Sequence, residues 1–205
     1  VALVTGNGEK DKLAELVDNL NERQIPRLDV SNIMMRRHFP NAKVKEKTTS
    51  RVRDYLKIQD GCEQFCTYCI VPYVRGPVVS RPYDDIIAEA RCLDARGFKE
   101  LVLTGIHTGF YGKDLPDDVN LVTVLKGLLK ETGIQRFRLS SLEPKEVSDE
   151  LIDLVASEER LCNHFHIPLQ SGDNEILKKM NRPYTREEYI ALTKRIYKKI
   201  PDAAI

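Results

Sequence analysis

Three cysteines within eight residues carry the strongest chemical signal in this sequence. Cys62, Cys66 and Cys69 form a C-x-x-x-C-x-x-C run inside Gly61-Cys62-Glu63-Gln64-Phe65-Cys66-Thr67-Tyr68-Cys69. Thiolates at that spacing on one tight loop can ligate three irons of a [4Fe–4S] cube. The fourth iron then has no protein ligand and is open to a chelating small molecule. The competing reading is a structural zinc ion, which takes four ligands, usually from C-x-x-C pairs. Its fourth ligand would come from Cys92, Cys162 or a distant histidine. The spacing therefore favours iron–sulfur over zinc. An odd total of five cysteines, three of them clustered, is a poor disulfide framework. Cys92, inside a predicted helix, and Cys162, just before a predicted strand, are expected to be buried thiols.

A cluster-binding loop needs a rigid frame. From residue 55 onward the sequence alternates strand and helix patterns. Strands are predicted at 55–59, 101–104, 136–140 and 164–169. Helices are predicted at 83–96, 120–131, 147–157, 175–180 and 186–200. In the first, Ile86, Ile87, Ala90 and Leu93 recur at helical spacing, and Gly97 ends the helix. This alternation argues for βαβ units, a parallel sheet, and a full or partial (β/α) barrel. In such folds chemistry sits at the carboxyl ends of strands, and the cysteine run directly follows the first of them.

Ahead of the barrel, residues 1–5 read as a short buried strand. Residues 11–21 read as a helix with Leu13, Leu16, Val17 and Leu20 on one face. Gly6-Asn7-Gly8 lacks the Lys-Ser/Thr of a phosphate loop and reads as a strand-to-helix turn. Residues 36–57 are basic. Arg36, Arg37, Lys43, Lys45, Lys47, Arg51, Arg53 and Lys57 face only Glu46 and Asp54. Pro40 and Thr48-Thr49-Ser50 break any helical period, so 36–54 is expected to be an extended linker, either solvated or in contact with RNA. A second RNA-contact candidate is the basic stretch 178–199. The whole chain of 205 residues has a net charge of only +1 and is 41% hydrophobic and 31% charged. It is thus an ordinary globular composition, and nucleic-acid binding must come from local patches. No run is apolar enough to span a membrane and no signal peptide opens the chain, so a cytoplasmic protein without membrane partners is expected.

The C-x-x-x-C-x-x-C loop with Tyr68 before its last cysteine resembles the signature of the radical S-adenosylmethionine (SAM) superfamily. The longer run Phe65-Cys66-Thr67-Tyr68-Cys69-Ile70-Val71-Pro72-Tyr73-Val74-Arg75-Gly76, with Ser80-Arg81, is similar to the bacterial methylthiotransferases. So are Thr104-Gly105-Ile106-His107-Thr108-Gly109, Arg138-Leu139-Ser140-Ser141-Leu142-Glu143 and His166-Ile167-Pro168-Leu169-Gln170-Ser171-Gly172. The resemblance implies an α/β chain: a partial radical SAM barrel over 55–205 behind the tail, residues 1–35, of an amino-terminal α/β domain. It implies a [4Fe–4S] cluster on Cys62, Cys66 and Cys69, with SAM chelating the open iron and yielding a 5′-deoxyadenosyl radical on reduction.

By the same resemblance Tyr68 lies against the adenine and Thr104-Gly105 near the methionine end of SAM. Ser140, Ser141 and Glu143 are candidates for the ribose, and Gln170 and Ser171 for SAM. Arg75 and Arg81 are candidates for a carboxylate or phosphate. Each has a plainer alternative: a glycine turn at Thr104-Gly105, loop capping at 140–143, and surface salt bridges for the arginines. His164 and His166 share a strand face and are expected to be partly buried histidines more than a metal pair.

The implied function is a tRNA methylthiotransferase converting N6-threonylcarbamoyladenosine beside the anticodon to its 2-methylthio form. The loop Thr104-Gly105-Ile106-His107-Thr108-Gly109 resembles this branch, and substrate choice is expected from His107-Thr108-Gly109-Phe110-Tyr111-Gly112, with His107 and Thr108 as hydrogen-bond donors to a polar substrate. Alternatives are the isopentenyladenosine enzyme, the ribosomal-protein enzyme and, in another class, a non-catalytic iron–sulfur or zinc RNA-binding module. Implied partners are the tRNA anticodon stem-loop, SAM and a low-potential electron donor. No cysteine precedes Cys62. The family's second [4Fe–4S] cluster, bound by its amino-terminal domain, is therefore expected only in a full-length protein, as is its carboxyl-terminal TRAM domain. The chain alone is expected to hold one cluster, to bind SAM weakly and to perform no methylthiolation.

Overall fold

The structure, a computed structural model, describes residues 1–20, 27–39, 52–116 and 118–205. Lys43, Lys45, Lys47 and Arg51 of the expected linker lie outside the described residues. In chain order the described elements are β1 (Leu3–Thr5), α1 (Leu13–Asp18), β2 (Arg27–Asp29), β3 (Arg53–Lys57), β4 (Gln59–Asp60), α2 (Val71–Arg75) and β5 (Val79–Ser80). There follow α3 (Tyr83–Ala95), β6 (Glu100–Thr104), α4 (Leu121–Glu131), β7 (Arg136–Leu139), α5 (Asp149–Ser157), α6 (Asn174–Lys179) and α7 (Arg186–Lys199). Among the described residues no helix is long and apolar enough to cross a membrane.

The frame is a parallel sheet in the order β3-β6-β7, with helices between successive strands. Its central strand, β6, buries Leu101, Val102 and Leu103 in an unbroken run, as a parallel strand covered on both faces must. Helix α3 turns Ile86, Ala90 and Leu93 into that core and stops before Gly97, whose φ of 81° is the left-handed cap position. Capping boxes start two of the other helices: Asn120 with Thr123 at α4, and Thr185 with Glu188 at α7. Ser148 caps α5 through the Leu151 amide.

The expected strand at 164–169 is not a continuous strand. It touches its neighbours by single parallel bridges, Ser141 to His166 and His164 to Ala204. The Leu142 amide donates to His166 O at 2.9 Å, and the Phe165 amide to Ala204 O at 2.8 Å. Pro168 has no N–H to extend the ladder. Phe165 and Ile167 are nonetheless buried, so the segment fills the place of a fourth strand as separate rungs.

The amino-terminal segment differs more from its expected form. Among the described residues β1 pairs in parallel with β2 alone, and Val1 and Val4 are exposed, so residues 1–5 are not a buried strand. The expected helix at 11–21 is six residues long and follows a 3-10 stretch, Asn7–Lys12. Of its apolar face only Leu16 is buried, while Leu13 and Val17 are exposed. A helix of under two turns brings just one such position against a neighbour.

Asp60 ties this segment to the sheet. Its side chain is 1% exposed, and Arg36 Nη2 lies 3.0 Å, Lys57 Nζ 2.9 Å and Arg75 Nη1 3.9 Å from its oxygens. Burial opposes ionisation of Asp60, but the hydrogen bond from Lys57 and the charges of Lys57 and Arg36 outweigh it and hold the carboxyl below its usual range. Arg36 and Lys57 are therefore joined to a buried carboxylate, contrary to their reading as free linker cations.

Candidate functional site

The site is built where β3 gives way to β4. Gly61 follows with φ 73°, and a Cβ there would sit 1.8 Å from Pro77 O, so only glycine makes this turn. Gln59, wholly buried, staples the turn on two sides. Its Nε2 donates to Asp60 O and Gly61 O, both at 2.7 Å, and its Oε1 accepts from the His107 amide at 2.8 Å. The beginning of the cysteine loop is thereby joined to the loop after β6. Within the loop the Cys62 amide donates to Gly76 O at 3.1 Å, the Gln64 amide to Cys62 Sγ at 3.5 Å and the Cys69 amide to Cys66 O at 2.9 Å.

A segment more than a hundred residues away closes the far side of the loop. Asn181 Nδ2 donates to Gln64 O at 3.1 Å and to Phe65 O at 3.0 Å, and Gln64 Nε2 donates to Asn181 O at 3.2 Å. Thr67 adds its amide to Met180 O and its hydroxyl to Lys179 O. Phe65 and Asn181 both have positive φ, 49° and 57°, a conformation that asparagine tolerates better than phenylalanine. The clamp holds the Phe65 turn in place.

Cys62, Cys66 and Cys69 line one cavity of about 170 Å³ together with Tyr68, Ser141, Glu143 and Gln170. The structure thus brings four of the sequence-predicted SAM residues to the thiols. The others lie elsewhere. The Thr104 carbonyl accepts from the Ile58 amide in the sheet, and Gly105 packs on Gln59. The Ser140 amide bonds Leu103 O, and Ser171 Oγ accepts from the Asp173 amide at the turn before α6. Arg81 is buried in an ion pair with Glu89, and Arg75 reaches Asp60 and Asn7. His166 is exposed, its Nδ1 2.8 Å from Ser141 Oγ, while His164 is half-buried. Cys92 and Cys162 are half-exposed, not buried.

Three residues at or beside the cavity have partners that local sequence did not suggest. His107 is 5% exposed, with Nδ1 3.6 Å from Cys62 Sγ, Nε2 3.2 Å from Glu146 Oε2 and its ring stacked 3.6 Å from Phe110. Thr108 is buried and donates its hydroxyl to Ser141 O at 2.8 Å. The Thr108 hydroxyl is thus spent on Ser141 O, while His107 lines the cavity itself, facing Cys62 and Glu146. Arg182, read only as part of a basic stretch, is buried, with Nη1 3.1 Å from Cys66 Sγ and Nη2 paired with Glu143. Burial pushes the Cys62 thiol up, against a smaller opposing pull from the Gln64 amide. Burial likewise raises the Tyr68 phenol.

A family model described as the Radical SAM superfamily matches residues 56–205. The chain belongs to the radical SAM superfamily. Among curated radical SAM relatives, it is 40% identical over 206 residues to "Threonylcarbamoyladenosine tRNA methylthiotransferase MtaB" of Bacillus subtilis, covering 100% of this chain and 45% of that protein. A protein of the same name from Aquifex aeolicus is 41% identical over 100% of this chain and 49% of its own length. "tRNA-2-methylthio-N(6)-dimethylallyladenosine synthase" of Thermoanaerobacter pseudethanolicus is 45% identical over 159 residues, 78% of this chain and 34% of that protein. The chain thus spans half or less of the length of these relatives.

Among solved structures, the radical SAM methyltransferase TsrM of Kitasatospora setae, with cobalamin and a [4Fe–4S] cluster, matches with a TM-score of 0.53 at 18% identity, over 74% of this chain and 29% of that one. The cobalamin-dependent radical SAM enzyme OxsB matches with a TM-score of 0.57 at 16% identity, over 71% of this chain and 22% of that one. These likenesses are of fold. The radical SAM loop of this chain also fits a cluster chemically. Its three cysteines line one cavity beside a buried cation. A cube asks its ligands to bind three separate irons, not one point.

Proposed function

We propose that this chain is the radical-generating part of a tRNA methylthiotransferase acting on N6-threonylcarbamoyladenosine beside the anticodon. The observation that supports it best is coverage. Relatives carrying that activity in their name align with 100% of this chain, against 78% for the dimethylallyladenosine relative. The dimethylallyladenosine enzyme is the second reading, favoured by its higher identity of 45%.

In this proposal Cys62, Cys66 and Cys69 hold a [4Fe–4S] cluster. Bound together, the cluster and SAM supply one-electron cleavage of a carbon–sulfur bond to make a carbon radical. The chain's own residues position and shield. Tyr68 brings an aromatic ring to the cavity lining, and Ser141, Glu143 and Gln170 bring polar groups. Gln59 holds the cysteine loop at its start and Asn181 at its middle, so its sulfurs are preorganised before anything binds. Gln170, which lines the cavity, has φ 62°, a conformation costly for a residue other than glycine. The tRNA stem-loop and a low-potential electron donor are the proposed partners. With Arg36 and Lys57 committed to Asp60, exposed Lys178, Lys179, Lys194 and Lys198 are the proposed phosphate contacts.

Deleting the encoding gene and analysing tRNA nucleosides by mass spectrometry tests the reading. Loss of 2-methylthio-N6-threonylcarbamoyladenosine is expected. Loss of the 2-methylthio-isopentenyl nucleoside instead would overturn it.

A further inference from the structure

Arg182 has a place at the cysteines that the proposed function does not use. Its side chain is 2% exposed, and guanidinium cannot shed its proton to relieve burial. Nη1 donates to Cys66 Sγ at 3.1 Å, Nη2 is paired with Glu143, and the planar group lies 5.1 Å from the Tyr184 ring. Nε has no hydrogen-bond partner among the described residues.

The group is held from behind. The Arg182 amide donates to Leu177 O at 2.9 Å, Asn181 before it is bonded into the cysteine loop, and the hydroxyl of Tyr184 after it donates to Pro168 O and Leu169 O. The fork is therefore aimed at Cys66 by both flanking residues and does not drift there as a surface side chain would.

One carboxylate leaves such a cation with half its fork facing sulfur. A neutral thiol is a weak acceptor, whereas a metal-bound sulfur is a thiolate carrying negative charge. Arg182 is thus matched to Cys66 as a ligand and mismatched to it as a free thiol. Resting on the cluster reading given above, we infer that Arg182 is a positioning residue that donates an N–H to the Cys66 sulfur and raises the reduction potential of the cluster. Glu143 sets how much of the arginine charge the cluster feels.

The physical basis is simple. Reduction adds an electron to a cluster of thiolates and iron, and a nearby positive charge or N–H donor stabilises that added charge. Glu143 cancels part of the positive charge. Removing Arg182 and removing Glu143 must therefore move the potential in opposite directions, which loss of mere packing at one site cannot do.

The test is an anaerobic redox titration, followed by electron paramagnetic resonance, of protein reconstituted with iron and sulfide and without SAM. In Arg182→Gln the midpoint falls, so that at a fixed potential the oxidised-to-reduced ratio rises about tenfold, equivalent to ~59 mV for a one-electron couple. Arg182→Lys, which keeps the charge but not the fork, falls less. Glu143→Gln rises. Unchanged midpoints, or shifts of the same sign in Arg182→Gln and Glu143→Gln, overturn the inference. Lowered SAM affinity in Arg182→Gln with an unchanged midpoint overturns it in favour of a SAM-binding role. If Arg182→Gln loses its cluster, the opposite shifts of Arg182→Lys and Glu143→Gln decide the matter. Wild-type protein that assembles no cluster would instead refute the underlying function and not this residue's role.

Discussion

The cysteine loop, residues 61–69, and the turn that closes on it, residues 179–184, meet at one cavity but are encoded in different ways. The loop declares itself through residue type and spacing, three thiols with two and three residues between them. The turn has no such mark: Asn181, Arg182 and Tyr184 look like the ordinary end of a short basic helix. Yet the turn makes at least six polar contacts with the loop, through Asn181, Arg182 and the carbonyls of Lys179 and Met180. Ligands are a local property of sequence, whereas the geometry that presents them comes from the tertiary fold.

Mutations can break that division. The largest effect is expected in the loop itself. Replacing Cys62, Cys66 or Cys69 singly with Ala abolishes cluster assembly, because a three-ligand site has no spare, and iron content after anaerobic reconstitution measures it. Next comes the anchor of the loop's leading edge. Asp60→Ala leaves Arg36 and Lys57 without their buried carboxylate and costs about 3 kcal/mol in urea unfolding. The sign of its pH dependence follows from the depressed carboxyl. The stabilisation is present above the ordinary value of 3.8 and is lost as pH falls through the lower folded value, so wild type and variant converge in acid.

The clamp is expected to matter less to the fold and more to the loop. Asn181→Ala removes two donated hydrogen bonds and costs roughly 1–2 kcal/mol, read as several-fold faster loss of iron to a chelator. Asn181→Gly keeps the left-handed backbone and separates that contribution from the side chain's. If Asn181→Ala holds iron as long as wild type, the turn is a neighbour of the loop and not its support. The smallest effect belongs to the remaining cysteines. Cys92→Ala and Cys162→Ala leave iron content nearly unchanged, and a loss there comparable to that of Cys66→Ala would break the ligand assignment.

Much of the frame was legible because its periods are strong. The apolar face of α3, the uninterrupted run of β6 and the caps of α4 and α7 give their elements nearly the bounds that the pattern predicts. The misreadings share a cause. Residues 164–169 alternate like a strand, but Pro168 and single-bridge pairing break the ladder. Residues 11–21 carry a helical stripe, but the described helix is too short to bury it. Resemblance and polarity together point His107 and Thr108 at a polar substrate. Only packing reveals that one faces Cys62 and Glu146 and the other is spent on Ser141 O. One residue of the turn does carry a local signal: Asn181, just beyond a short helix, is suited to positive φ and a tight turn.

The central claim is that the three thiols bind a [4Fe–4S] cluster with an open iron. Metal and sulfide analysis of anaerobically reconstituted protein, with its visible spectrum before and after dithionite, tests it most directly. The account predicts about four irons and four sulfides bound through these cysteines, and a brown absorbance that bleaches on reduction. A colourless protein holding one zinc ion per chain would contradict it.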